Sequence, residues 1–128
     1  MISFFEKEVK LSWFVTIVIA ATIFWVSSLT LGGGTSGTSF LSVFYHFFAF
    51  FFLSAFLLVA SVKGNEEYGI FFLVIIVSVL YGISDELHQF FVPGRASSGG
   101  DVLVNTAGIL SASLIYFVRL RMKKSFNR

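Results

Sequence analysis

A chain of 128 residues that is 56% hydrophobic, 19% aromatic and 12% charged is unlike an ordinary soluble domain, in which about 25% of residues are charged. This composition predicts an integral membrane protein. The net charge of +2 comes from basic residues at the chain ends and in one loop, where they anchor spans at lipid headgroups, so we expect no nucleic-acid partner. The absence of cysteine excludes disulfides, thiolate nucleophiles and cysteine-ligated metals.

Four apolar segments are long enough to cross about 30 Å of hydrocarbon as α-helices. They are continuous apolar runs rather than the alternating segments of a β-barrel, which favours helices. The predicted spans are about 11–31, 40–62, 69–92 and 101–118. The connections between them are short, so we predict an all-α membrane protein, a single domain over residues 1–128 with its four transmembrane helices in one compact bundle.

The first predicted span, 11–31, follows basic residues and ends near small ones, as a secretory signal peptide would. Its apolar stretch is too long for a signal peptide, and no convincing A-x-A cleavage site follows, so we expect an uncleaved signal anchor. The Gly-rich stretch 32–39 lacks the Lys and the strand-to-helix setting of a phosphate loop. We expect it to form a flexible outer turn.

The second and fourth spans carry polar groups near one end. His46 lies roughly 9 Å inward from the start of the second span, and Asn105 about 6 Å inward from Asp101. Asn105 shares a stripe of the fourth helix with Asp101, Gly108 and Ala112, and the small residues of this stripe permit close helix contact.

The third span has a polar face towards its C-terminal end. At about 100° per residue, this face covers an arc of about 120°, with Glu86 at its margin. Its members are Ser78, Tyr81, Gly82, Asp85, His88 and Gln89. Asp85 lies roughly 9 Å inward from Phe91, where we expect the helix to end. Because three helices bring polar groups to a similar depth, we predict one shallow site within the membrane.

The basic residues predict the orientation. All but Arg95 lie in the N-terminus, the second loop and the C-terminus. By the positive-inside rule, an even number of spans then places both termini in the cytoplasm and the predicted site on the outer face. The residues that set this bias are Lys7, Lys10, Lys63, Arg119, Arg121, Lys123, Lys124 and Arg128.

Three segments around the predicted site carry a family resemblance. They are Asp85-Glu86, 89–95 (QFFVPGR) and 101–108 (DVLVNTAG). Together they resemble the signature of VanZ-like membrane proteins, and His46 resembles the histidine of that family's second helix. Family members often have an Asp-Lys pair before this histidine, where this chain has Ser42 and Val43. The resemblance implies a small protein of the bacterial cell membrane, associated in the family with resistance to teicoplanin and related lipoglycopeptides.

The predicted site has more negative than positive groups. With both histidines neutral, its formal charge is about −2, and burying that charge costs several kcal/mol per ion. The carboxylates are those of Asp85, Glu86 and Asp101, and the guanidinium is that of Arg95. A retained carboxyl proton, a charged histidine or a bound divalent ion would each compensate. A divalent ion is the one cofactor that we consider. Its ligands would come from Asp85, Glu86, His88 and His46.

Two kinds of function fit these residues. In the first, the site recognises an envelope lipid or the lipid tail of a lipoglycopeptide, with carboxylates gripping a cationic or donor group and Phe-rich walls holding acyl chain. In the second, Asp85, Glu86 and His46 supply catalytic groups for a lipid-headgroup hydrolase or transferase. The negative charge would repel a phosphate unless a metal intervened, which favours the first. The residues expected to hold the ligand are Arg95, His88, Gln89, Asp101 and Asn105.

A third interpretation is a structural or assembly role. The polar residues would then serve as interhelical hydrogen-bonding groups, with Asn105 and His46 bridging helices and Arg95 snorkelling to the surface. Asp101 would be an N-cap or a favourable partner of the helix dipole. Pro93-Gly94 is most simply a turn that ends the third helix.

Overall fold

The computed structural model describes residues 2–29, 40–95 and 97–126, and the regular secondary structure in these ranges is entirely α-helical. The expected outer turn at 32–39 lies outside them. The helices are α1 (Ile2–Lys7), α2 (Val9–Ser28), α3 (Phe40–Val62), α4 (Tyr68–Phe91) and α5 (Gly99–Phe126). The four long helices are long and apolar enough to cross a membrane, as the composition predicts.

The helix bounds agree with the predicted spans in the middle of the chain and differ at its ends. Helix α3, Phe40–Val62, has the same bounds as the span predicted at 40–62. Helix α2 ends at Ser28, before the predicted end at 31, and the backbone of Leu29 is extended. Helix α5 continues to Phe126, past the predicted end at 118, because its basic last turns carry on the helix beyond the apolar segment. The short helix α1 was not predicted.

The two ends of the described chain meet the α3–α4 connection at one end of the bundle, which we call the basic end. Arg119 of α5 forms an ion pair with Glu6 of α1. Lys124 Nζ donates to Glu66 Oε2 at 2.7 Å, and this hydrogen bond lowers the pKa of Glu66. The Gly64 N–H donates to the Tyr116 hydroxyl at 3.0 Å. Because the number of long helices is even, the C-terminal end of α5 lies at the same end of the bundle as α1.

Helices α3 and α5 form the most extensive packing contact of the bundle. At Gly108 of α5, an added Cβ would lie 2.3 Å from the Phe47 carbonyl oxygen and 3.1 Å from the Phe51 nitrogen. Only a hydrogen atom fits there, so the close contact predicted for the Gly108 stripe is confirmed. Phe50 and Ile109 are fully buried beside this contact.

The close approach at Gly108 predicts that Gly108→Ala destabilises the protein by about 1–3 kcal/mol or more, because the α3 backbone has to move away from the new methyl group. Gly69→Ala is the matched control, since a Cβ there meets nothing within 4 Å. Thermal unfolding in detergent should show a lower midpoint for Gly108→Ala alone. Equal midpoints for the two variants would contradict the close packing.

The natural absence of cysteine permits a direct topology test. We expect Ser97→Cys to react with a membrane-impermeant maleimide in intact cells, and Asn65→Cys to react only after permeabilisation, because Asn65 lies at the basic end. The reversed pattern would place the basic end outside the cell.

Candidate functional site

Buried polar side chains from α2, α3, α4 and α5 meet at the end of the bundle opposite the basic end. We call this set the polar cluster. Its members are between 0% and 7% exposed and are Ser27, His46, Asp85, Glu86, Gln89, Asp101 and Asn105. The prediction of one site shared by α3, α4 and α5 agrees with this arrangement, and α2 contributes a fourth wall.

Local sequence explains how α4 presents its polar residues and where it ends. Asp85 and Gln89 are four residues apart and therefore lie on one helix face. The helix ends at Phe91, and Gly94 has a φ of +79°, which a residue with a side chain adopts rarely. The turn expected at Pro93-Gly94 is thus present, and it directs the chain back so that Arg95 reaches Gln89.

Both carboxylate oxygens of Asp85 accept hydrogen bonds. Ser27 Oγ donates to Oδ1 at 2.5 Å, and Gln89 Nε2 donates to Oδ2 at 2.9 Å. The other end of the Gln89 amide accepts a hydrogen bond from Arg95 Nη2 at 2.9 Å. Gln89 therefore stands between the guanidinium and the carboxylate, and Asp85 is held by neutral donors.

Glu86 lies between α3 and the start of α5. Its Oε2 accepts a hydrogen bond from the Ser98 N–H at 3.3 Å, and its Oε1 lies 3.6 Å from His46 Nδ1. The same His46 nitrogen lies 3.1 Å from Asn105 Oδ1. With a proton on Nδ1, His46 donates this hydrogen bond to the Asn105 amide oxygen.

Three buried polar atoms near this end have no hydrogen-bond partner among residues 2–29, 40–95 and 97–126: Asp101 Oδ1, Asn105 Nδ2 and the Tyr45 hydroxyl. Burying a polar group without a partner is costly, so each such atom needs an explanation. Asp101 and Asn105 are four residues apart on α5 and so lie on one face. An acceptor and a donor on the same face of α5 therefore have no partner among the described residues.

The N-cap interpretation of Asp101 is wrong. Helix α5 begins at Gly99, and the Oγ of the preceding Ser98 accepts a hydrogen bond from the Gly100 N–H at 3.1 Å. Asp101 lies in the first turn, where a carboxylate interacts favourably with the helix dipole.

His88 is the predicted site residue that lies apart from the polar cluster. Its ring stacks on Phe24 of α2 at a centroid distance of 4.7 Å, and its Nε2 lies 3.0 Å from Ser28 Oγ. The four-residue metal site with His88 is therefore not assembled. His46, Asp85 and Glu86 do come together, with one ligand atom from each within 4.8 Å of the others.

Sequence reasoning missed Ser27, Ser98 and Tyr45. Ser27 lies near the end of the first span, at about the depth of the other cluster members, so the depth argument applied to that span would have found it. Ser98 acts on Glu86 through its backbone N–H, for which a side-chain pattern gives no signal.

Comparison with known proteins places the chain in a family. Residues 3–120 match the sequence profile of the family described as VanZ/LLP1, a match that spans the polar cluster, helices α2 to α4 and α5 as far as Leu120. No curated protein and no solved structure shows a significant match to the chain. The protein, with four candidate membrane-spanning helices and a match over most of its length, belongs to the VanZ-like family.

Proposed function

We propose that this protein binds the headgroup of an envelope lipid, or of a lipid-linked envelope component, in the polar cluster. Through this binding it contributes to resistance against teicoplanin-type lipoglycopeptides in the bacterial cell membrane. The N- and C-termini face the cytoplasm, and the cluster lies at the end of the bundle towards the outer surface. The single observation that carries the proposal is the unpartnered carboxylate oxygen of Asp101 beside two other buried carboxylates.

The charges of the cluster support a ligand that brings positive charge or hydrogen-bond donors. Asp85, Glu86 and Asp101 are each 5–7% exposed. Arg95, half-buried, donates to the Gln89 carbonyl oxygen. Carboxylates in a medium of low dielectric constant are stabilised by close donors and cations. An amine-bearing headgroup supplies a cation with its own donors, and a hydroxyl-rich headgroup supplies neutral donors.

The unpartnered atoms on α5 suggest how such a headgroup is oriented. Asp101 Oδ1 is an acceptor and suits an ammonium or hydroxyl group, whereas Asn105 Nδ2 is a donor and suits an ester or phosphate oxygen. Both kinds of group occur together in a zwitterionic headgroup. Arg95 extends this donor side at the end of the site.

The apolar surface beside the cluster supports a lipid rather than a soluble ligand. Leu87, Phe90 and Phe91 of α4 are 59%, 70% and 73% exposed, and Leu103 of α5 is 72% exposed. These side chains lie within one or two turns of Asp85 and Asp101. Acyl chains of a bound lipid would pack on them while its headgroup reaches the carboxylates.

A second candidate function is a lipid-headgroup hydrolase or transferase. The grouping of His46, Asp85 and Glu86 within 4.8 Å favours it, because these residue types supply acid–base groups or ligands for a divalent ion. A metal would also neutralise the carboxylates and admit a phosphate. In this candidate Asp85 or Glu86 acts as a general base, and Arg95 holds the anionic part of the headgroup.

The lipid-binding proposal predicts that Asp85→Asn and Glu86→Gln each weaken the binding of envelope lipid, measured as lipid that co-purifies with the protein, by roughly tenfold or more, because each removes a buried charged acceptor. Resistance to teicoplanin in cells should be lost, while the amount of protein in the membrane stays unchanged. Glu66→Gln, an exposed carboxylate at the basic end, is the matched control and should leave resistance intact. Loss of the Asp85→Asn protein from the membrane would instead support a structural role for the cluster.

The two candidates differ in metal content. For protein purified without chelator, the lipid-binding proposal predicts no stoichiometric divalent metal in elemental analysis. A stoichiometric metal that is lost in His46→Gln and retained in His88→Gln would favour the enzyme, because His46 belongs to the three-residue grouping and His88 lies apart.

A further inference from the structure

A cleft of about 460 Å³ lies at the basic end, at the far end of the bundle from the polar cluster. It is formed by α1, by the start of the α3–α4 connection and by the last turns of α5. Four of its lining side chains are cationic and one is a carboxylate: Lys7, Lys63, Arg119, Lys123 and Glu6. The cleft therefore carries a net positive charge.

The partners of these side chains show which charges are available. Glu6 accepts hydrogen bonds from Arg119 and from the Tyr116 hydroxyl, so its charge is compensated within the bundle. Lys123 Nζ donates to the Gly64 carbonyl oxygen at 3.1 Å. The side chains of Lys7 and Lys63 form neither a hydrogen bond nor an ion pair within the described ranges 2–29, 40–95 and 97–126. Two cations at the cleft are thus available to a ligand.

The backbone of the α3–α4 connection fixes one of these cations in position. Lys63 has a φ of +54°, a left-handed conformation that is unfavourable for a residue with a Cβ. Gly64 follows with a φ of +70° and is tied to α5 at both its N–H and its carbonyl oxygen. The two hydrogen bonds of the Gly64 backbone hold the turn, and with it Lys63, beside the cleft. The side chain of Lys63 takes no part in them.

We propose that this cleft binds the phosphodiester headgroup of an anionic membrane phospholipid. It lies where the apolar helices end, which is the level of the headgroups in a bilayer. Lysine and arginine side chains are suitable donors for phosphate oxygens, and basic pockets between membrane helices bind anionic headgroups in this way. Met122 at the cleft and Phe4 of α1 are 53% and 56% exposed, and they offer apolar surface to an acyl chain. This site is separate from the polar cluster and does not depend on the function proposed for it.

The test uses the full-length protein in a neutral detergent, titrated with short-chain phosphatidylglycerol and followed by native mass spectrometry. We expect saturable binding that Lys7→Gln/Lys63→Gln weakens by about tenfold or more, since each basic residue near a headgroup contributes substantially. The control Lys10→Gln/Lys124→Gln removes the same charge from the same end but outside the cleft, and should weaken binding by less than about twofold.

Two further ligands distinguish the source of the phosphate. Short-chain phosphatidylcholine should bind much more weakly than phosphatidylglycerol. Glycerol 3-phosphate at equal concentration should not displace the lipid; displacement by it would make the site one for a soluble phosphate and overturn the proposal. Equal weakening in the two double variants would also overturn it, because it would show a general surface-charge effect.

Each variant is checked by circular dichroism and thermal unfolding. The single variants Lys7→Gln and Lys63→Gln are measured as well, each expected to weaken binding by roughly fivefold. Folded single variants that bind phosphatidylglycerol as tightly as the unaltered protein would contradict the proposed site.

Discussion

Three carboxylates are buried at one end of a membrane bundle, and the contacts between helices at that end are organised around them. Charged oxygens in a medium of low dielectric constant require donors at close range. Asp85 obtains them from Ser27 of α2 and from Gln89 one turn along α4, and Glu86 obtains one from the backbone of Ser98. The donors of Asp85 and Glu86 therefore connect α4 to α2 and to the residue that precedes α5. Asp101 Oδ1 has no such donor in the described part of the chain, and the proposed headgroup would supply one.

The convergence of these groups depends on close packing elsewhere in the bundle. Because Gly108 lets α5 approach the backbone of α3, Asn105 one turn earlier comes within 3.1 Å of His46. A larger residue at 108 would separate the two helices, and with them the donor and acceptor of this pair. The small residues of α5 and the polar residues of the cluster thus belong to one arrangement, in which a contact in the apolar part sets the geometry of the polar part.

Features that depend on a single helix could be predicted from the sequence. Contacts between side chains of different helices could not. The span 40–62, the turn at Pro93-Gly94 and the shared depth of His46, Asp85 and Asn105 follow from apolar length, turn chemistry and the rise of a helix. Which neighbour a side chain meets depends on packing. His88 lies on the polar face of α4, yet it stacks on Phe24 of α2 because the face is wide enough to contact two helices. The helix α1 was not predicted because it is short and contains charged residues. Its Glu6 forms an ion pair with Arg119, which is distant in the sequence.

We propose that a lipid headgroup completes the polar cluster and supplies donors to its carboxylates. The most direct measurement is an experimental density map of the protein purified with its native lipid. We expect non-protein density within hydrogen-bond distance of Asp101 Oδ1 and Asn105 Nδ2, continuous with an acyl chain beside Phe90 and Leu103. A map in which protein side chains alone occupy the space around these two atoms would contradict the proposal.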